Sequence, residues 1–193
     1  MRLMSSFRHN VANLTNFSGR ETRAQFWPYV GAVFLLFLVL GMGLFASMLA
    51  QSFGRFEHFA EQHPDSVSVR TGPGRRTISV EGNHPELMPE MGPVMIAMPV
   101  VCIVVVALLA AAITRRLHDR GKPGLWGALP LPFLIIGIIM MPSTLDGSWP
   151  GPDKTLPMFL NNMLYLAAVA RLIVWLAGVG DVGENRYGPQ PVG

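Results

Sequence analysis

Long apolar runs alternate with shorter polar segments along this chain of 193 residues. Two of the runs, residues 30–50 and residues 91–114, contain no Asp, Glu, Lys or Arg. Because an α-helix rises about 1.5 Å per residue, about 20 apolar residues are enough to cross the ~30 Å of hydrocarbon in a bilayer. The pattern therefore predicts a first transmembrane span over residues 28–52 and a second over residues 91–114.

Two further apolar segments follow the second run. Residues 125–141 are at the lower length limit for a span and contain Pro130 and Pro132. They form either a kinked third span, which we favour, or a re-entrant segment covered by protein. Residues 156–179 are long enough for a fourth span and contain one charged residue, Arg171. The chain is thus predicted to be an all-α integral membrane protein with about four transmembrane helices.

Residues 1–27 form a polar N-terminal arm before the first span. Four apolar residues recur in it at helical spacing, which predicts an amphipathic helix at the membrane interface; they are Leu3, Phe7, Val11 and Leu14. Ser18 and Glu21 have the spacing of a helix-capping box. Three aromatic residues near the start of the first span are predicted to form an interfacial belt, namely Phe26, Trp27 and Tyr29.

The remaining polar segments connect the spans. Residues 53–90 are predicted to form an extracytoplasmic loop, in which residues 66–70 and 75–80 alternate as in a small β-hairpin. The other connecting segments are a basic turn over residues 115–124, a loop over residues 142–155 and a tail over residues 180–193.

The composition supports a membrane location. The hydrophobic fraction is 50% and the charged fraction 14%, whereas soluble domains contain roughly 25% charged residues. The net charge of +3 comes from cations at the ends of apolar runs and not from an extended basic face. The expected partner is therefore the lipid bilayer, including anionic lipids, and not nucleic acid. A single cysteine, Cys102, excludes an intramolecular disulfide.

The distribution of Lys and Arg predicts the orientation. In the four-span arrangement the arm, the basic turn and the tail carry nine cations, and the two loops on the other side carry five. Lys and Arg are retained in short cytoplasmic segments. Both termini of this multi-pass protein are therefore predicted to be cytoplasmic.

The basic turn contains the residues most suited to chemistry. His118 and Asp119 are either a proton-handling or ligand-binding pair, or part of a local arrangement in which Arg115, Arg116 and His118 complement the negative end of a helix. Arg115 and Asp119 have the spacing of an ion pair on one helical face. Gly121 suits the left-handed conformation in which many helices end.

Other polar residues have simpler interpretations. Arg171 is either a functional intramembrane charge or, as we favour, a side chain that reaches the cytoplasmic interface. Asn161 and Asn162 are expected to form hydrogen bonds between helices. The sequence has no metal-ligand spacing, no phosphate-binding loop and no nucleophile elbow. We therefore expect no catalytic residue, no metal site and no cofactor.

Three segments, in order along the chain, resemble the motifs of a known family. They are Phe17-Ser18-Gly19-Arg20 with Phe26-Trp27, residues 115–126, and residues 183–191. They are similar to the F-x-G-R, R-R-L-H-D-x-G-x-S-G-W-W and G-x-N-R-Y-G-P-D-P motifs of the bacterial inner-membrane family catalogued as domain of unknown function 805, the YhaH-like proteins. The chain departs from these motifs at Pro123, Leu125 and Gln190. The resemblance implies a protein of the bacterial plasma (inner) membrane and implies no activity.

The sequence favours a non-catalytic role at the cytoplasmic face. A charged cluster from the arm, the turn and the tail is expected to bind anionic lipid headgroups or a membrane protein partner, which includes a second copy of the chain. The alternative is a small transporter or channel subunit with a polar path through Arg171, His118 and Asp119. The candidate binding residues are Arg20, Arg23, Arg115, Arg116, His118, Asp119, Arg171, Asn185, Arg186 and Tyr187.

Overall fold

The computed structural model describes residues 2–73, 75–82, 84, 87, 91–144 and 151–191. The chain is mostly helical, with helices α1 (Arg2–Ala12), α2 (Arg23–Gln62), α3 (Gly92–His118), α4 (Leu131–Met140) and α5 (Pro152–Ala177). One hairpin is formed by strands β1 (Val67–Gly72) and β2 (Arg75–Val80). Short 3-10 helices cover Pro64–Ser66, Gly124–Ala128 and Met141–Thr144.

Three of the helices are long and apolar enough to cross a membrane, over Arg23–Gln62, Gly92–His118 and Thr155–Ala177. The first of them is longer than its predicted span, because α2 continues through residues assigned to the extracytoplasmic loop. It ends at Gln62, two residues before Pro64. Proline disfavours helical backbone in the residue before it, so the helix ends where the sequence first forces it to.

The third apolar segment is shorter as a helix than predicted. Helix α4 has 10 residues, which gives it a length of only about 15 Å, and a 3-10 helix follows it directly. The prolines explain the late start, since Pro130 caps α4 and Pro132 falls in its first turn. A fourth helix of spanning length is therefore absent from the described residues, and the predicted count of four is not confirmed.

The chain divides into two compact units, one of Met1–Leu38 with Met95–Gly193 and one of Val39–Val94. The core of the first unit joins the beginning of α2 to the ends of α3 and α5, and its buried residues are Phe26, Tyr29, Val33, Ala112, Leu117, Leu172 and Leu176. Tyr29 Oη also donates a hydrogen bond to the carbonyl of Leu108, 2.9 Å away. Helices α3 and α5 thus end at the same place, beside the start of α2.

Within the first unit, the segment of α4 runs antiparallel to α5. Trp126 packs against Trp175 near the end of α5, with ring centroids 5.2 Å apart. Asn161, nearer the start of α5, donates a hydrogen bond of 3.0 Å to the carbonyl of Phe133. This bond confirms the predicted helix-packing role of Asn161.

The second unit contains the predicted hairpin. Strands β1 and β2 are antiparallel and pair from Val67↔Val80 to Gly72↔Arg75, so β1 extends two residues further than expected. The imidazole rings of His63 and His84 both lie 4.5 Å from the ring of Phe59, measured between centroids. These contacts connect the end of α2 with the residues after the hairpin.

The arm is helical, as predicted, but it packs through its polar stripe. Ser6 and Asn10 of α1 are buried, whereas Phe7 and Val11 are each 42% exposed. Ser6 Oγ donates a hydrogen bond to the carbonyl of Gln25. Two residues of the predicted apolar stripe, Phe7 and Val11, therefore remain partly exposed at the surface of the arm.

The start of α2 differs from the prediction in two details. The capping box is formed by Thr22 and Gln25, which exchange hydrogen bonds of 3.3 Å and 3.2 Å. The predicted box of Ser18 and Glu21 is wrong because Thr22 immediately precedes the first turn. Of the three predicted belt residues only Trp27 is exposed, since Phe26 and Tyr29 lie on the helical face that forms the core.

Candidate functional site

A buried group of three arginines and two carboxylates lies where the arm, the end of α3 and the tail meet. We call it the arginine cluster, and its members are Arg20, Glu21, Arg115, Arg116 and Asp119. Every buried side-chain nitrogen or oxygen in the described part of the chain has a hydrogen-bond partner. The buried charged groups of the cluster are therefore all hydrogen-bonded within the protein.

Arg115 fastens the arm to α3. Its guanidinium makes two contacts with Glu21 Oε2, at 3.0 Å from Nε and 2.9 Å from Nη2. Nη2 donates to Asn10 Oδ1 at 2.6 Å, and Nη1 donates to the carbonyls of Asn13 and Asn16 at 2.9 and 2.6 Å. Both α1 and the segment that follows it are thus bonded to a single side chain of α3.

Arg116 joins α3 to the end of α5. It forms an ion pair with Asp119, and its Nε donates a 2.9 Å hydrogen bond to the carbonyl of Leu176. Its Nη2 donates to the carbonyl of Gly178. The carbonyls at a helix end carry partial negative charge, so a guanidinium there is favourable. The predicted pairing of Arg115 with Asp119 is wrong, because Arg115 points to the arm and Arg116 takes the carboxylate.

Arg20 connects the arm to the tail. Its Nη2 lies 3.0 Å from Asp119 Oδ1, and its side chain is 1% exposed. Its Nη1 donates to the carbonyls of Gly183 and Gly188, at 2.6 and 3.3 Å. The backbone N–H of Asp181 donates to the carbonyl of Asp119 at 2.7 Å. Asp119 therefore binds two arginines with its carboxylate and the tail with its backbone.

The tail closes over the basic turn through a tight loop. Asn185 donates from its side chain to the carbonyl of His118 at 3.0 Å, and its Oδ1 accepts the backbone N–H of Tyr187 at 2.9 Å. The rings of His118 and Tyr187 are stacked, with centroids 3.7 Å apart. Arg186 Nη2 donates to the carbonyl of Gly121, 3.0 Å away. Three of the predicted tail residues thus contact the turn directly.

Both carboxyl groups of the cluster are buried and contacted by arginines. Burial raises the pKa of Glu21 above its ordinary value, against the opposing effects of the hydrogen bond from Asn10 and the charge of Arg115. Both oxygens of Asp119 are occupied by arginines. Among the described residues, no three His, Cys, Asp or Glu side chains are grouped as metal ligands.

Other cations surround the cluster without entering it. Arg8 and Arg23 of the arm are exposed, and Arg23 reaches the carbonyl of Ala177 only at 3.5 Å. Arg186 is exposed with its guanidinium 4.7 Å from the ring centroid of Tyr187. Lys122 Nζ lies 5.3 Å from the centroid of Trp175. These side chains remain accessible to a ligand at the surface.

Arg171 is separate from the arginine cluster. Its guanidinium lies 4.7 Å from the ring centroid of Trp175, one helical turn later in α5, and the residue is exposed. Within the described part of the chain, no hydrogen bond or ion pair joins Arg171 to His118 or Asp119. Nine of the ten predicted site residues thus lie at or beside the cluster, and Arg171 lies on the flank of α5.

Two residues that complete the site were not among the predicted binding residues. Glu21 had been interpreted as a helix cap, and Asn10 had no assigned role. Glu21 is the only acidic residue in an arm with four arginines. This isolation is a sequence signal that Glu21 pairs with an arginine inside the protein. Asn10 lies on the face of α1 that is buried against the rest of the protein. The sequence alone does not show which face of α1 is buried.

The comparisons with known proteins give one family. The profile of a family described as "Protein of unknown function (DUF805)" matches residues 14–189. The matched range includes every residue of the arginine cluster and the docked part of the tail. No curated protein and no solved structure matches the chain.

Proposed function

This chain belongs to the DUF805 family of proteins of unknown function, and we propose its role from the residues of the arginine cluster and the cations around it. The protein is a non-catalytic component of the bacterial inner membrane. Its arm, turn and tail form a cytoplasmic face that binds anionic lipid headgroups. The arginine cluster holds the three segments together, and the exposed cations around it make the contacts with lipid.

The observation that carries this proposal is the division of the cations into two groups. The arm, the turn and the tail contain nine cations and four carboxylates. Arg20, Arg115 and Arg116 are buried and bonded within the protein, so they position the others and are not themselves available. The remaining excess of positive charge lies outside the cluster, where each cation near an anionic surface contributes about 1 kcal/mol.

The surroundings of these cations suit a membrane surface. The outward face of α1 carries the exposed Phe7 and Val11, and Trp27 is exposed at the start of α2. Tryptophan and amphipathic helices favour the level of the headgroups. Arg8 and Arg23 belong to the same two elements, so their charges are expected at that level.

Four crossings of the membrane follow from the same proposal. Helices α3 and α5 end at the same cluster, so the chain between them has to return across the bilayer if both helices span it. The 3-10 helices at Gly124–Ala128 and Met141–Thr144 flank α4, and their steeper rise of about 2 Å per residue extends the segment to about 30 Å. That length is enough to cross the bilayer with an α-helix only in the middle of the segment.

The contacts give no support to a transport path through Arg171, His118 and Asp119. Arg171 lies against Trp175, and Asp119 is enclosed by two arginines. Headgroup binding explains the exposed cations without such a path.

The proposal is tested by lipid titration of the purified protein in detergent. Phosphatidylglycerol and phosphatidylcholine with identical acyl chains are added separately, and bound lipids are counted by native mass spectrometry. We expect tighter binding of phosphatidylglycerol. Arg23→Gln should weaken that binding by about 1 kcal/mol, or about fivefold, and leave phosphatidylcholine unchanged.

A matched control is Arg55→Gln, which removes one positive charge from the other unit and should leave both affinities unchanged. Equal affinities of the normal protein for the two lipids would overturn the proposal. Equal losses in the two variants would also overturn it, because the effect would then follow net charge and not the cytoplasmic face.

A further inference from the structure

An apolar cavity of about 340 Å³ lies between α3, α5 and the segment that contains α4. Its size falls in the range of about 300–1,000 Å³ that is typical of ligand pockets. Leu109 and Ile113 of α3, Leu134 of α4 and Leu172 of α5 form much of its wall. Because a charged group would lose its hydration in such a space, the cavity suits hydrocarbon.

Two cations are close in sequence to residues of the cavity lining. The lining includes Gly124, two residues after Lys122, and Leu172, which follows Arg171. Lys122 Nζ and Arg171 Cζ lie 5.3 and 4.7 Å from the ring centroid of Trp175. Both cations therefore lie within two residues of the cavity lining along the chain and contact the same tryptophan ring.

Within the described residues, neither Lys122 nor Arg171 forms an ion pair with a carboxylate. Both are held over an aromatic ring, an arrangement worth about 0.5–1 kcal/mol per cation at an exposed site. Both positive charges lie near one ring, so an anionic group beside Trp175 would be attracted to both. Trp126 is 46% exposed and packs against Trp175, and both indoles suit the level of lipid headgroups.

We propose that the cavity holds one acyl chain of a phospholipid whose anionic headgroup binds Lys122 and Arg171 beside Trp175. This inference rests on the proposed function and gives it a specific site. It also adds a requirement that a charged surface alone does not have, since the acyl chain has to enter the protein. A lipid in the cavity differs from the surrounding lipid because one molecule binds to each protein chain.

The experiment uses the full chain in detergent and native mass spectrometry, with phosphatidylglycerol and phosphatidylcholine as probes. Ala110→Phe places a large side chain in the cavity lining and should weaken the tightest binding event about tenfold for both lipids. Ala128→Leu is a second, smaller filling of the same cavity. Ala170→Phe is the matched control, because Ala170 is exposed on α5 and lines no part of the cavity.

The headgroup is tested separately with Lys122→Gln and Arg171→Gln in one protein. Loss of two cations should weaken phosphatidylglycerol binding roughly thirtyfold and leave phosphatidylcholine binding unchanged. Unfolding temperatures identify any variant that fails to fold. If Ala110→Phe does not fold, the lipid affinity of Ala128→Leu tests whether filling the cavity weakens binding.

The outcomes separate this site from the broader function. If both cavity-filling variants bind phosphatidylglycerol as the normal protein does while Arg23→Gln binds it less, the cavity proposal is overturned and surface binding stands. If the filled variants lose the single tight lipid while Ala170→Phe retains it, the cavity proposal is supported. Binding of both lipids with equal affinity in every protein would overturn the two proposals together.

Discussion

Each arginine of the cluster is bonded both to a carboxylate and to backbone carbonyls. Arg115 binds Glu21 and the carbonyls of the arm, and Arg116 binds Asp119 and the end of α5. Removing one partner of a buried ion pair leaves an uncompensated charge, which costs about 3–5 kcal/mol. The packing of the arm, the turn and the tail therefore depends on a small number of side chains.

Glu21→Gln is expected to lower the free energy of unfolding by about 1–3 kcal/mol. Glu21 Oε1 accepts from Asn10 and Oε2 accepts from Arg115, so an amide nitrogen in place of either oxygen leaves a buried donor without its acceptor. Thermal unfolding in detergent, followed by tryptophan fluorescence, measures the change. Glu57→Gln is the control, since Glu57 is exposed on α2. Unfolding temperatures that are equal in the Glu21→Gln and normal proteins would show that the Glu21–Arg115 pair does not stabilise the fold.

The same variant gives a pH dependence with a defined sign. Burial raises the folded-state pKa of Glu21 above its ordinary value of 4.5. The stability contributed by Glu21 is therefore complete below about pH 4.5 and decreases as the pH rises through the folded value. Glutamine does not titrate, so the difference in the free energy of unfolding between the two proteins should become smaller as the pH rises from about 4.5 through the folded-state pKa of Glu21. A difference that became larger over this interval would contradict the raised pKa.

Helix ends determine where the cluster forms. Helix α3 ends at His118, and Gly121 then adopts the predicted left-handed conformation with φ of +62°. The backbone N–H of Lys122 bonds back to the carbonyl of Leu117 at 3.0 Å. This reversal points the chain away from α3 and leaves room for the tail at Asp181.

Gly121→Ala is expected to destabilise the protein by about 1–2 kcal/mol, which is the cost of a left-handed residue that carries a Cβ. The new Cβ would also lie 2.6 Å from Asp181 Oδ2 and push the tail outward. Thermal unfolding and limited proteolysis of the tail measure the two effects. Gly31→Ala is the matched control, because a Cβ there meets no atom within 4 Å, and cleavage of both variants at the same rate would refute the tail effect.

In the whole molecule, helices α3 and α5 run in the same direction and end at one cluster. The orientation predicted from the cations puts that cluster in the cytoplasm, together with the arm and the tail. A connection that failed to cross the bilayer could not join two parallel spans, so the short α4 and its flanking turns have an essential topological role in this arrangement.

The topology is tested by a single thiol in a Cys102→Ser background. Val182 of the tail is 87% exposed, so Val182→Cys should react with a membrane-impermeant thiol reagent only after cells are permeabilised. Glu61→Cys, near the end of α2, should react in intact cells and serves as the control. Reaction of Val182→Cys in intact cells would put the tail, and the arginine cluster that it contacts, outside the cell and would contradict the predicted orientation.

The sequence predicted the features that depend on composition or on neighbouring residues. Apolar runs indicated the three long helices, and the position of Gly121 indicated the end of α3. The pairing of Arg115 with Glu21 could not be predicted, because those residues are 94 positions apart and several carboxylates competed as partners. The length of α4 was also missed, since hydropathy does not record where Pro130 and Pro132 allow a helix to start.

The bonds of Arg20 also impose an order on the synthesis of the protein. Its acceptor carbonyls at Gly183 and Gly188 are made 163 and 168 residues after it. Arg115 can bind Glu21 as soon as α3 is inserted, and Arg116 can bind the end of α5 only after that helix follows. The tail then supplies the last acceptors. A chain interrupted before residue 180 would leave Arg20 without these acceptors, so an incomplete product differs chemically from a finished one at the arginine cluster.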